Sequence, residues 1–378
     1  MHKLPDLAKS KPHYEILDGL RGIAAIMVVL FHIFEIHSGG DPARQIINHG
    51  YLAVDFFFLL SGYVISYAYD NRWKQMSLAD FFRRRIIRLH PMVIAGSVAG
   101  ALLFCFQDSP DLGWSSISQA PLWKLILVML LGCLLIPVGK GLDIRGWNEM
   151  FPLNGPAWSL FYEYIANIVY ALVLRRLSNT ILAVLMLTAA GFTLHYALTN
   201  PAGDIIGGWS IDDPKQLRIG LLRLSFPFLA GMLLARTVRL RYTPYAFLST
   251  ALLLVIVLSV PRVGGPEQPW LNGLYECICL MILFPFIIWL GAGGNVSGKA
   301  IRICRFLGDI SYPLYITHFP LVYIYMAWVV NNEYALEQTW PYGVLTAVVS
   351  IVLAYGLMKL YDLPLRAWLR KRFLYERP

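Results

Sequence analysis

Charge is scarce in this 378-residue sequence, in which 15% of residues are charged and 57% are hydrophobic. A soluble chain of this length needs more charge on its surface. No stretch between the apolar runs is long enough for a separate soluble domain, so we expect one integral membrane domain over 1–378. Residues 1–17 are polar and show no small-residue cleavage site behind an apolar core, so we expect no removable signal peptide.

Several binding signatures are also missing. The five cysteines show neither disulfide nor metal-ligand spacing, so we expect no metal. The chain has no P-loop and no dinucleotide glycine pattern, which leaves direct nucleotide hydrolysis unsupported. Its net charge of +9 is explained by the basic cytoplasmic loops typical of membrane proteins. We expect no nucleic-acid partner and no permanently bound cofactor.

Long apolar runs recur from end to end and predict an all-α, polytopic membrane helix bundle of about ten transmembrane helices. Span candidates lie near 19–37, 51–69, 84–106, 155–174, 180–198, 218–235, 245–261, 272–290, 310–330 and 342–361.

The segment 122–138 is also apolar, and the basic residues decide how it is placed. Six segments hold 24 of the 32 Lys and Arg residues. They all fall in the cytoplasm, with both termini, only if 122–138 makes no net crossing. We therefore expect this segment to be re-entrant or to lie against the outer face. The alternative is an eleventh span, which would put Arg175 and Arg176 outside.

The first predicted span carries Arg21 and His32, eleven residues apart. At about 100° per residue, both side chains lie on one helix face, about 16 Å apart along the axis. An ionisable group within a membrane span is costly and usually faces a protein interior or a wet cavity. The pair therefore suggests function, although an interfacial anchor and an interior histidine are the alternative. Gly22 leaves a thin side for close helix packing.

The second predicted span contains Asp55 at a depth similar to that of His32. A carboxylate that accepts from one imidazole nitrogen fixes the tautomer and makes the other nitrogen more basic. We expect Asp55 to orient His32, with Glu35 as a rival partner on the same helix. Alternatively, Asp55 is an interfacial anion near a helix N-terminus. The small pair Ser61 and Gly62 permits close approach of a helix or a ligand.

Arg85 and Arg88 lie at i, i+3 in the third predicted span and share one side of the helix. Two guanidinium groups so placed can bind a phosphate. An ordinary cytoplasmic charge cluster is the alternative, although Arg88 lies deeper in the apolar run. Glu163, in the span over 155–174, needs a partner or a proton at membrane depth, and we group it with His32 and Asp55 as catalytic. Further side chains are expected in a supporting polar chamber: Ser61, Trp158, Ser311, Tyr315 and His318.

Five stretches together resemble acyltransferase family three, a family of integral membrane acyltransferases that modify bacterial surface polysaccharides, nodulation factors and other extracytoplasmic acceptors. They are LDGLRGIAAIMVVLFH, VDFFFLLSGYVIS, RRRIIRLHP, NGPAWSLFYEY and LGDISYPLYITHFP. Each motif is loose alone, but five in this order are specific, and they extend over nearly the whole chain.

The resemblance implies an acyl-CoA co-substrate, usually acetyl-CoA, and a glycan or glycolipid hydroxyl as acceptor. It implies a bacterial cytoplasmic (inner) membrane location. Arg21, Arg85 and Arg88 would then bind the donor, and His32 would act as general base or transient acyl carrier. A transporter with an intramembrane polar pathway is the alternative, but the sequence has no internal repeat. The oligomeric state and the acyl group stay open.

Overall fold

The protein is a bundle of α-helices, and the computed structural model describes residues 13–114 and 117–375. In this part of the chain, eight helical segments are long and apolar enough to cross a membrane, and no β-strand occurs. The predicted all-α polytopic architecture is therefore confirmed. The helices are α1 (Glu15–Glu35), α2 (Ala53–Tyr69), α3 (Leu78–Leu103), α4 (Leu122–Cys133), α5 (Ala157–Leu172), α6 (Asn179–Thr199), α7 (Pro214–Thr237), α8 (Ala246–Ser259), α9 (Trp270–Ile278), α10 (Phe284–Ala292), α11 (Gly298–Thr317), α12 (Phe319–Asn331), α13 (Leu336–Leu357) and α14 (Leu363–Arg370).

Two further crossings are irregular. Helices α11 and α12 form one crossing that bends by 54° at His318. The short helix α8 runs between the two ends of the bundle. Before it, the Thr243 N–H donates to the Gly293 carbonyl; after it, the Val260 carbonyl accepts from His49 Nδ1 at 2.8 Å. With the bent pair counted as one span, nine segments of the described residues are long and apolar enough to cross a membrane, and the 14-residue α8, about 21 Å long, is a tenth that joins the two ends of the bundle.

Several connections meet at one end of the bundle, which we call the basic end. The Asp70 carboxylate accepts from Arg236 Nε at 2.7 Å, and Arg236 also donates to the Leu177 carbonyl. The Arg175 guanidinium lies 3.9 Å from the centre of the Trp73 ring. The connections after α2, α5 and α7 therefore lie together, as the loop charges predict.

Helix α4 makes no net crossing of the bundle. Helix α3 starts at the basic end and α5 finishes there, so the connection between them leaves from and returns to the opposite end. With 12 residues, α4 is about 18 Å long, too short for a hydrocarbon core of about 30 Å. It packs on α3, where Ser97 Oγ donates to the Met129 carbonyl at 2.9 Å. The interpretation of 122–138 as a segment without a net crossing is confirmed for α4.

The central helices approach closely at small residues. A Cβ atom on Gly22 would overlap the backbone of Leu307, so α1 packs tightly on α11. A Cβ atom on Gly62 would overlap the Phe228 carbonyl, so α2 packs tightly on α7. Dispersion contacts and short backbone separations drive helix association where water is absent. These two pairs form the frame that holds the polar side chains described below.

A buried ion pair joins α2 to α7. Arg223 Nη2 donates to Asp55 Oδ2 at 2.7 Å, and Arg223 Nε donates to the same carboxylate at 3.2 Å. The guanidinium also donates to the carbonyls of Tyr51 and Gly207 at 2.8 and 3.2 Å. Both side chains are nearly inaccessible. The expected pairing of Asp55 with His32 is wrong, because a charged guanidinium from α7 occupies the carboxylate.

The fold predicts the sidedness of its ends. In a cysteine-free background, Arg44→Cys, in the exposed connection after α1, should react with a membrane-impermeant maleimide in intact cells. Arg176→Cys at the basic end should react only after permeabilisation. Labelling of Arg176→Cys in intact cells would contradict the placement of the basic end in the cytoplasm.

The Asp55–Arg223 pair should matter chiefly for stability. Arg223→Ala leaves a buried carboxylate without its cation and should lower the free energy of unfolding by about 3–5 kcal/mol. The neutral pair Asp55→Asn with Arg223→Gln should lose much less. Thermal unfolding of the purified protein in detergent measures both. An unchanged melting temperature for Arg223→Ala would show that the pair does not hold α2 to α7.

Candidate active site

A cavity of about 560 Å³ extends from the basic end into the bundle between α1, α2, α3, α5 and α11. His13 and Glu15 lie at its mouth, whereas Phe57, Ser159 and Tyr315 lie at its deep end. Five guanidinium groups line it: Arg21, Arg85, Arg88, Arg305 and Arg366. Within the described residues, no group of three His, Cys, Asp or Glu side chains is arranged to hold a metal ion.

Arg21 lies along the α1 side of the cavity and is fixed by several partners. It forms an ion pair of 2.8 Å with Asp18, one turn earlier. Its Nε donates to Ser311 Oγ at 2.8 Å, and its Nη2 donates to the Gly308 carbonyl at 3.0 Å. Arg21 thus connects α1 to α11 while facing the cavity.

Arg85 and Glu163 form an ion pair in the cavity wall. Arg85 Nη2 donates to Glu163 Oε1 at 2.8 Å, and Ser61 Oγ donates to the same oxygen at 3.1 Å. The sequence grouped Glu163 with His32, but the structure places this carboxylate in the cavity wall, bonded to Arg85. Arg85 Nε is buried and has no hydrogen-bond partner among the described residues.

Arg88 is the cation that the cavity leaves unpaired. It is half-buried, one turn beyond Arg85, and makes no hydrogen bond or ion pair within the described residues. The nearby charges of Arg21 and Arg85 are both balanced, by Asp18 and by Glu163. An unbalanced guanidinium on the wall of a membrane cavity is suited to an anionic ligand such as a phosphate.

His32 lies farther along α1 and pairs with Glu35, the alternative partner in the sequence analysis. Its Nδ1 lies 2.9 Å from Glu35 Oε2. A carboxylate only accepts, so Nδ1 carries the proton and Nε2 keeps a free lone pair. Glu35 pairs with His32, and Asp55 does not, because Glu35 is one helical turn away from His32 on the same face of α1. The Phe319 ring packs edge-on against the imidazole at 4.6 Å.

His318 lies between the deep end of the cavity and His32. Its ring centre is 6.2 Å from that of Tyr315, which lines the cavity, and 5.8 Å from that of His32. Tyr315 in turn shares a hydrogen bond of 2.7 Å with Ser159. Trp158, expected in the same chamber, instead lies 5.0 Å from the Arg223 guanidinium and packs against the Asp55–Arg223 pair.

Beyond His32 lies a polar cluster that the sequence analysis missed. Tyr323 donates to Glu149 Oε2 at 2.6 Å, and the Arg145 guanidinium lies 3.5 Å from the Tyr323 ring centre. The pKa of Glu149 is raised to about 7, chiefly by burial, while the charge of Arg145 and the hydrogen bond from Tyr323 oppose the rise. Arg145 and Glu149 sit in a connection with no periodic pattern to mark them. Arg223 was detectable as an ionisable residue inside a predicted span.

Comparison with known proteins identifies the family of this chain. The family model described as an acyltransferase domain matches residues 14–359. Protein 2 in the picA locus of Rhizobium radiobacter is 34% identical over 173 residues, 44% of this chain and 85% of the relative. Acyltransferase MdmB of Streptomyces mycarofaciens is 24% identical across 90% of this chain and 87% of its own length.

O-acetyltransferase OatA of Staphylococcus aureus is 23% identical across 85% of this chain, a match that takes up 52% of the relative. No solved structure matches the chain. The family match includes α1 to α13 and every cavity residue described above except those before residue 14 and after residue 359. This chain belongs to the acyltransferase family that the match defines.

Proposed function

We propose that this protein is a membrane O-acyltransferase that moves acetyl from acetyl-CoA to a hydroxyl group of a glycan or glycolipid outside the cytoplasm. One observation carries the proposal. An arginine-lined cavity extends from the basic end towards an oriented imidazole near the opposite end. The OatA relative is named as an O-acetyltransferase, which supports this reaction class.

The cavity suits a long, thin donor with phosphate groups at one end. CoA has this shape, because its nucleotide phosphates are joined to the thioester by a flexible pantetheine arm. Arg88, which has no anion among the described residues, binds a donor phosphate, and Arg21 lines the path of the arm. The distance of about 16 Å between Arg21 and His32 along α1 is then bridged by the arm.

The transfer step uses the free nitrogen of His32. The acceptor hydroxyl gives its proton to Nε2 as its oxygen attacks the thioester carbonyl carbon. The carbon–sulfur bond then breaks, the acetyl group stays on the acceptor oxygen as an ester, and the CoA thiolate takes the proton back from the imidazolium. Glu35 accepts from Nδ1 throughout, so it holds the tautomer and stabilises the imidazolium.

The acceptor approaches from the end opposite the cavity mouth. The side chain of Glu35 is 45% exposed and that of His32 is 19% exposed, so a hydroxyl group can reach the imidazole from outside. The half-buried Trp147, which lies on the same connection as Glu149, offers an aromatic face of the kind that stacks on sugar rings. These observations support an acceptor on the surface side of the cytoplasmic membrane, with both termini in the cytoplasm.

Removal of the base tests the catalytic assignment. A positioned base contributes about 100- to 10,000-fold in rate, so His32→Ala should remove nearly all acetyl transfer while keeping the melting temperature. Glu35→Gln should lose less, because the imidazole remains but its tautomer is no longer fixed. The measurement is ester formation on surface glycans by mass spectrometry. Glu267→Gln, an exposed carboxylate on another connection at the same end, is the control. Near-normal turnover in His32→Ala would refute the base role.

Removal of the unpaired cation tests the donor site. A charge-assisted hydrogen bond contributes about 1.5–3 kcal/mol, so Arg88→Ala should raise the KM for acetyl-CoA about 10- to 100-fold. Arg88→Lys keeps the charge without the planar fork and should fall between. Arg83→Ala, on the same helix but paired with Asp80 at 3.8 Å, is the matched control. Equal donor KM values for Arg88→Ala and Arg83→Ala would disprove the phosphate role.

A further inference from the structure

One ring nitrogen in the core is left without a partner. His318 is fully buried at the bend between α11 and α12. Its Nδ1 lies 3.0 Å from the Leu314 carbonyl oxygen and 2.9 Å from that of Tyr315. Carbonyl oxygens only accept, so Nδ1 carries the proton and Nε2 is a bare acceptor. Within the described residues, Nε2 has no hydrogen-bond partner.

Such a nitrogen is costly to keep at membrane depth. A buried acceptor without a donor loses the hydrogen bonds that water would give it, and nearly all buried polar atoms in proteins are therefore paired. The surroundings of this nitrogen include an apolar ring, since Phe319 packs edge-on against both His318 and His32. A satisfied structural histidine would use both of its nitrogens. The free Nε2 therefore points to a donor group that arrives with a ligand.

The position of His318 identifies that ligand group. His318 lies between Tyr315, at the deep end of the cavity, and His32, so a donor that reaches His32 must pass it. At the deep end of the cavity the rings of Phe57 and Tyr315 are in contact, with their centres 5.4 Å apart. The part of an acyl-CoA arm that precedes the thioester is an amide, and its N–H is a hydrogen-bond donor.

We propose that His318 Nε2 accepts a hydrogen bond from the amide N–H nearest the sulfur of the acyl donor and so places the thioester at His32. This inference rests on the proposed function and deepens it. From that N–H nitrogen the thioester carbon is four covalent bonds away, about 5 Å in an extended chain. The ring centres of His318 and His32 are 5.8 Å apart, so an amide bound at His318 leaves the thioester within reach of an acceptor hydroxyl at His32. His318 is thus a donor-binding residue that selects thioesters with an adjacent amide.

A paired substrate and residue change tests the proposal. The probes are acetyl-CoA and an analogue in which the amide nearest the sulfur is replaced by an ester, which has no N–H. The wild-type protein should prefer acetyl-CoA by about 10-fold or more in kcat/KM, because the analogue leaves Nε2 unpaired. His318→Phe should reduce transfer from acetyl-CoA and bring the preference close to 1.

Matched variants separate this role from a structural one. His318→Gln retains an acceptor oxygen and should restore part of the preference for acetyl-CoA over the ester analogue. If His318→Phe does not fold, His318→Gln serves as the test in its place. Arg88→Lys should lower kcat/KM for both probes and keep their ratio. A wild-type ratio near 1, or an unchanged ratio in a folded His318 variant, overturns the proposal. Failure of the proposed function is distinct, because then the wild-type protein transfers no acetyl from acetyl-CoA.

Discussion

A guanidinium or carboxylate at membrane depth must have a partner or a wet cavity, and this constraint organises the protein. Asp55 forms an ion pair with Arg223, and Glu163 forms an ion pair with Arg85. These pairs tie α2 to α7 and α3 to α5, so the charges also determine how the helices assemble. Among the described residues, Arg88 has neither an ion pair nor a hydrogen bond, and His318 Nε2 has no hydrogen-bond partner. Both lie on the path from the basic end to His32, where a ligand can supply what is missing.

The frame around that path is built from close backbone contacts. Gly22 and Gly62 allow α1 to pack on α11 and α2 to pack on α7 without intervening side chains. The first of these contacts holds α11 against the helix that carries Arg21 and His32, whose spacing is fixed by the rise of that helix. The bend at His318 interrupts the crossing formed by α11 and α12 and directs its imidazole towards the His32 ring. Helix packing thus places His318 beside His32, which follows Arg21 along α1, so that these residues lie along one route through the bundle.

Local sequence patterns predicted much of this arrangement. They could not predict which side chains of distant helices form pairs. Apolar run length and loop charge predicted the all-α class, the approximate number of crossings and the placement of α4. The shared face of Arg21 and His32 follows from one continuous helix. The partner of Asp55 did not follow, because similar depth in a hairpin does not show which neighbouring helix supplies a cation. Arg223 is 168 residues from Asp55, and only tertiary packing joins them. Glu35 could be predicted as a partner of His32, because it lies three residues away on the same helix.

Under the proposed function, the donor enters from the basic end and the acyl group leaves at the other end. Membrane vesicles of both orientations test it directly, with radiolabelled acetyl-CoA added outside and surface glycans native to the cell as acceptors. Inverted vesicles expose the basic end to the donor, and they should form alkali-labile labelled esters on the enclosed glycans, above the background of His32→Ala vesicles. Right-side-out vesicles should stay unlabelled. Equal labelling in sealed right-side-out vesicles would contradict the account.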